Sequence, residues 1–295
     1  MKRLFGFLAA LAAVSFWGIS FISAKIVLEV FDPIVLGFFR YLLAVAVVLA
    51  IVVFKKVSLK VTKKDLMTFI LAGFFGIFLF SSLENTALQW IAPESGAIMS
   101  SLAPLMILLA NTIFSKERFN WRHGLYALIS VVGVTLVVSP DAFGTSPEGL
   151  LGLGLMVLSI MSWTAYSLFT KNVTQRHATI KVTALQSIAA LVAFAPALLF
   201  RPLPAFDAFT ATQWGHFLFL GIVCSAGAYL LFIHSIRVLG VTTPNVIINF
   251  TPIVTVLVGA IWFGATIGWI QLLGALLVVL TMTLITLDRT GTHAA

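Results

Sequence analysis

The residues of this 295-residue chain that could do chemistry are few, and most are neutral. Trp17 and Trp163 each fall near the middle of a long apolar stretch. Tryptophan in a membrane belongs at the interfaces, so a central indole needs a partner for its N–H or a cavity to face. The chemistry on offer is binding: two aromatic walls of one pocket, with plain helix packing as the simpler reading. Ser20 and Ser167 follow three and four residues on, about one helical turn along the same faces. Asn245, Asn249 and Pro252 are spaced i, i+4, i+7 and share a helix face. Asparagine in hydrocarbon is costly unless paired or facing water. These amides either orient a small amphipathic substrate or make interhelical hydrogen bonds worth about 0.6–2 kcal/mol. Ser101 stands where Asn249 does, 148 residues earlier. Tyr229 and His234 are polar-tipped groups in another apolar stretch, and of Phe78 and Phe80, mid-helix in the third stretch, one is an aromatic candidate for the same cavity.

Glu84, with Asn85 beside it, is an ionisable group at membrane depth and a candidate for proton coupling. The plainer reading pairs it with Arg40, about 10 Å below the surface at 1.5 Å per residue from Pro33. His234 is a second coupling candidate against a structural, hydrogen-bonded histidine. Lys25 and Glu29, spaced i, i+4, read as a cap on the outer end of the first helix.

Catalytic signatures are missing. There is no Gly-x-x-x-x-Gly-Lys phosphate loop and no His-Glu-x-x-His. The five histidines have no metal-ligand spacing, and the single Cys224 excludes an internal disulfide. The expectation is a carrier without enzymatic activity, cofactor or metal, driven by a gradient or passive.

The elements that must position these groups are membrane helices. Hydrophobic residues make up 60% and charged residues 9%, with a mean hydropathy of +1.10. That composition belongs in a bilayer. A span needs about 20 apolar residues, and ten such stretches can be marked: 4–24, 33–54, 66–86, 93–114, 121–139, 149–170, 180–200, 212–235, 243–263 and 268–287. The run after Met1-Lys2-Arg3 exceeds a signal-peptide core and reads as an uncleaved first span.

The second five stretches repeat the first. Pro104 is followed after 17 residues by Trp121, and Pro252 by Trp269. Ala127 with Ala275 and Gly73 with Gly221 keep the same offset of 148. Upstream the offset is 146, pairing Gly6 with Gly152, Trp17 with Trp163 and Lys25 with Lys171. The organisation expected is a first repeat over 1–140, a periplasmic linker over 141–147, a second repeat over 148–290 and a cytoplasmic tail over 291–295. Five spans per repeat force the second copy to insert upside down, the architecture of carriers that rock about a midplane site. Pro104 and Pro252 interrupt equivalent helices and are candidate hinges.

The net charge of +8 sets orientation and argues for no nucleic-acid partner. Lys55, Lys56, Lys60, Lys63, Lys64, Lys116, Arg118, Arg122, Lys171, Arg176 and Lys181 all fall on one side when both termini are cytoplasmic. Glu29, Asp32, Glu94, Asp141, Glu148 and Asp207 fall on the other, with Arg201. Few charges reach predicted midplane depth, so the pocket is expected to be aromatic with neutral polar groups.

The stretches Trp17-Gly18-Ile19-Ser20-Phe21, Asp32-Pro33, Phe38-Phe39-Arg40, Ser101-Leu102-Ala103-Pro104-Leu105, Phe114-Ser115-Lys116-Glu117-Arg118 and Trp163-Thr164-Ala165-Tyr166 resemble the drug/metabolite transporter superfamily. Within it the chain resembles ten-helix bacterial exporters with two EamA-type repeats, nearest the aromatic amino acid and paraquat exporter group. The second repeat departs from the pattern, with Phe263-Gly264-Ala265-Thr266 where the first has Glu117-Arg118. The resemblance implies a multi-pass protein of the bacterial inner membrane, functional as a monomer, whose partners are the bilayer and a small-molecule substrate. It implies export of amino acids by alternating access. A lipid or lipid-precursor flippase and a drug or cation efflux carrier are the alternatives.

Overall fold

The computed structural model describes residues 1–114, 121–137, 146–263 and 268–291. Expectations resting on Lys116, Glu117 and Arg118, on 264–266, on most of the 141–147 linker and on the tail beyond 291 lie outside the described residues. Helices dominate and no strand occurs among the described residues: α1 Lys2–Val27, α2 Pro33–Phe54, α3 Lys63–Ala87, α4 Pro93–Phe114, α5 Trp121–Val137, α6 Pro147–Thr174, α7 Thr179–Phe200, α8 Ala211–Leu239, α9 Thr242–Trp262 and α10 Trp269–Gly291. The helices α1–α4 and α6–α9 are long and apolar enough to cross a membrane. Within α5 and α10 the apolar stretches Gly124–Gly133 and Leu272–Thr281 are shorter. Large apolar side chains such as Phe54, Phe200, Ile261 and Trp269 are exposed on the outside of the bundle, as lipid contact requires.

Helix starts follow from local chemistry. The Asp32 side chain accepts from the N–H groups of Ile34 and Val35, with Pro33 at the first helical position. Thr62 caps α3 and Ser146 caps α6 in the same way. Thr210 and Gln213 form a reciprocal capping box at the start of α8. Gly240, at φ 79°, takes the left-handed turn between α8 and α9 that only glycine adopts freely.

The packing between the halves α1–α5 and α6–α10 recurs when the halves are exchanged. The helix α1 packs on α8 and α9, and α6 packs on α3 and α4. The helix α2 packs on α8 while α7 packs on α3; α2 and α7 also meet, as do α5 and α10. Small residues permit this close approach, because helix association in lipid depends on van der Waals contact. Gly73 backs onto the α7 backbone at Gln186, and Gly221 backs onto Leu43 of α2; a Cβ at either place would overlap its neighbour.

Equivalent helices also deviate from regular winding at equivalent places. The middle of α3 widens to a π-helix over Phe74–Leu79, and the middle of α8 does so over Phe219–Ala228. The helices α4 and α9 break just ahead of their prolines. In α4, Ser101 N–H and Leu102 N–H bond back to Ile98 and Met99, three residues away. In α9 a tight 3-10 turn covers Ile248–Phe250. Proline donates no N–H and clashes with the carbonyl four residues earlier, so each break follows from Pro104 or Pro252.

The two ends of the bundle are tied by different groups. At the lysine-rich end, buried Asp65 of α3 meets Arg176 Nη2 at 2.8 Å and His177 Nε2 at 2.9 Å. Lys181 Nζ donates to the Lys60 carbonyl beside them. At the other end Arg201 Nη1 reaches Asp32 Oδ2 at 3.5 Å. There Lys25 does not cap its own helix with Glu29, as the i, i+4 spacing suggested. Its Nζ donates to the Leu88 carbonyl at 2.6 Å and lies 3.3 Å from that of Ile91, tying α1 to the α3–α4 turn. Carbonyls of the α3–α4 turn outcompete one flexible carboxylate because they sit already fixed around one point.

Candidate functional site

The two mid-helix tryptophans come together between the halves. The Trp17 and Trp163 rings lie edge to face, centroids 5.4 Å apart at 86°. Tyr229 sits 5.3 Å from Trp17, and Phe80 5.1 Å from Trp163. Such aromatic pairs contribute about 0.5–1.5 kcal/mol each beyond area burial. Both indoles have their N–H satisfied. Trp17 Nε1 donates to the Cys224 carbonyl at 3.3 Å, and Trp163 Nε1 to Asn245 Oδ1 at 2.8 Å. The Tyr229 hydroxyl donates to the Gly76 carbonyl at 3.1 Å, inside the widened turn of α3. Where a helix widens its carbonyls lose regular partners, and side chains from other helices use them. Ser162 Oγ does the same at Phe75, 2.6 Å away.

These rings line a cavity of about 50 Å³ together with Phe21 and Ile160. One water takes about 10–15 Å³ on this measure, so the space holds a few waters. Ligand pockets run to about 300–1,000 Å³. An amino-acid-sized molecule therefore fits only after the surrounding helices move apart.

Two further lining residues, Ser100 and Ile248, are 148 positions apart and stand four residues before Pro104 and Pro252. Each is the residue whose carbonyl a helix would bond to the proline's missing N–H. The broken turns of α4 and α9 thus form part of the cavity wall, one from each half.

Of the expected binding residues, Trp17, Ser20, Trp163 and Tyr229 line this cavity. The Ser20 hydroxyl donates to its own helix at the Trp17 carbonyl, 2.7 Å away. The others stand elsewhere. Phe78 packs its ring 4.9 Å from Phe194, between α3 and α7. Ser101 donates to the Ile98 carbonyl within the broken turn, and Ser167 is fully buried with no hydrogen-bond partner. Asn245 holds Trp163 and bonds back to the Val241 carbonyl, so it supports the wall. Asn249 donates to Ser130 Oγ of α5 at 2.6 Å. The His234 ring stacks edge-on against Phe5 at 5.3 Å, away from the cavity.

Glu84 does line the cavity, and so does Arg40. The expectation of a pocket with only neutral polar groups is therefore overturned. Both residues are less than a tenth exposed. Arg40 lies two turns into α2 and Glu84 in the last turn of α3, and the packing of α2 on α3 and α8 encloses both. Tyr41 and Ser81 also line the cavity. Ser81 is the 148-offset counterpart of Tyr229; the repeat carried over from Tyr229 would have pointed to it.

The EamA-like transporter family model matches the chain twice, over residues 4–139 and 150–287. An uncharacterized transporter of Bacillus subtilis is 25% identical over 284 residues, covering 95% of this chain and 93% of the relative. An uncharacterized transporter of Archaeoglobus fulgidus is 24% identical over 281 residues, covering 94% and 96%. An uncharacterized inner membrane transporter of Escherichia coli is 28% identical over 182 residues, covering 59% and 56%. A solved crystal structure superposes with a TM-score of 0.75 at 21% sequence identity, covering 97% of this chain and 96% of that one.

Proposed function

We propose that this chain, which belongs to the EamA-like transporter family, exports small amphipathic metabolites, foremost aromatic or neutral amino acids, across a bacterial inner membrane. It is a multi-pass membrane transporter. On this reading ten helices cross the membrane as two inverted five-helix repeats, with both termini in the cytoplasm. The convergence of Trp17 and Trp163, equivalent residues of the two halves, on one cavity between them carries the proposal. A carrier of inverted repeats places its site at their interface. Aromatic faces bind apolar side chains and attract cationic groups. The exchange-symmetric packing and the paired breaks before Pro104 and Pro252 support alternating access, in which the halves swap conformations.

The test is uptake of a labelled panel of aromatic and aliphatic amino acids into liposomes holding the purified protein, with and without a pH gradient. Saturable uptake of aromatic or neutral members is expected. A gradient effect that disappears in Glu84→Gln would assign coupling to that carboxylate. No uptake of any member would overturn the amino acid reading.

A further inference from the structure

Arg40 and Glu84 place one basic and one acidic side chain on the wall of the same cavity. Burying either charge is costly unless it is compensated. The compensation inside the protein is incomplete. Arg40 Nε donates to Ser225 Oγ at 3.3 Å. Ser225 is itself fixed by donating to the Leu220 carbonyl in the widened turn of α8. Arg40 takes no other hydrogen bond and no ion pair within 4.0 Å among the described residues. Glu84 also makes no side-chain hydrogen bond or ion pair among them. The expected Arg40–Glu84 pair is thus held apart, with no direct contact between the two side chains.

Anchoring through Nε leaves the outer fork of the guanidinium uncommitted. That fork matches a carboxylate in geometry, with two parallel N–H···O bonds. Tyr41, the next residue, lines the same cavity. Glu84 offers a counter-charge for an ammonium, and Trp17, Trp163 and Tyr229 offer aromatic faces. The cavity wall is therefore balanced in charge, and a ligand that complements both groups is a zwitterion of zero net charge.

Building on the amino acid reading above, we propose that Arg40 is the specificity-determining residue that binds the substrate's carboxylate, with Glu84 receiving its ammonium. A bare amine or an amide leaves the Arg40 fork buried and unpaired, and sites built to bond a group reject analogues lacking it. A free anion without an ammonium leaves Glu84 in the same position.

The experiment is competition in liposomes. Uptake of labelled phenylalanine is measured against unlabelled phenylalanine, phenylalaninamide and 3-phenylpropionate. The amide and the propionate should compete at least about tenfold more weakly than phenylalanine. In Arg40→Gln the amide and the amino acid should become equal competitors. Arg40→Lys should keep the preference in weakened form, since lysine keeps the charge and loses the fork. Arg40→Gln strands Glu84, so Arg40→Gln combined with Glu84→Gln restores charge balance if the single variant does not fold. Equal competition by the amide in the unaltered protein, or its rejection retained in Arg40→Gln, overturns the proposal while uptake itself stands. If no labelled amino acid enters, thermal stabilisation of the detergent-solubilised protein by the same three compounds separates the readings. Stabilisation by phenylalanine over its amide, lost in Arg40→Gln, supports the carboxylate site without transport; its absence sinks both.

Discussion

Trp17 and Trp163, 146 residues apart in the chain, meet edge to face at 5.4 Å where the two halves of the bundle join. Each is oriented by a hydrogen bond to another helix, Trp17 to α8 and Trp163 to α9. Replacing either with alanine removes a wall of the cavity and leaves an acceptor unpaired. Transport should fall at least about tenfold, with folded protein retained in the membrane. Trp163→Phe keeps one aromatic ring while losing the N–H and the fused ring's bulk, and should cost less than alanine. Rates in liposomes, normalised to protein recovered as a single species, check this; undiminished transport in both alanine variants would remove the tryptophans from the site.

Asn245 supports Trp163 without lining the cavity itself. Asn245→Ala leaves the buried indole N–H unsatisfied, a loss of about 1–3 kcal/mol. Asn245→Asp retains an acceptor and should recover part of the activity. Thermal unfolding in detergent beside uptake rates separates loss of fold from loss of site.

Pro104 and Pro252 each remove one helical bond at a residue on the cavity wall. Proline within a helix costs about 3 kcal/mol or more. Alanine at both positions should therefore make α4 and α9 more regular, raise the unfolding temperature and slow turnover while substrate affinity stays near its original value. Faster or unchanged turnover with restored helices would argue that the breaks are static bends.

Asp65 ties α3 to the α6–α7 turn through Arg176 and His177. Arg176 is half exposed, so Arg176→Ala should cost under about 1 kcal/mol. Asp65 is buried, and Asp65→Ala removes the group that both Arg176 and the largely buried His177 ring bond to, costing about 1–3 kcal/mol. A larger effect from Arg176→Ala than from Asp65→Ala would contradict this order.

Reporter fusions ending after Lys64 and Arg176 should report cytoplasm, and fusions after Asp141 and Asp207 the opposite side. The charge distribution predicts all four. Reversal at two of them would end the inverted-repeat reading and the carrier mechanism built on it.

Much of this protein could be read from its residues. Apolar runs of span length, lysines on alternate loops and prolines and tryptophans at fixed offsets depend only on composition and order. The bilayer turns those properties directly into helices, since every backbone polar group must be paired within its own span. The mid-span tryptophans were legible too, because an indole away from the interface is out of place. Which face of each helix turns inward was not. Asn249 was expected in the pocket and bonds Ser130 instead; Arg40, expected as the partner of Glu84, lines the cavity without touching it. Packing between distant helices decides those placements: α9 meets α5 at Asn249 and Ser130, and α2 meets α8 at Arg40 and Ser225. They arise from contacts between residues more than a hundred positions apart, and no local spacing in the chain encodes them.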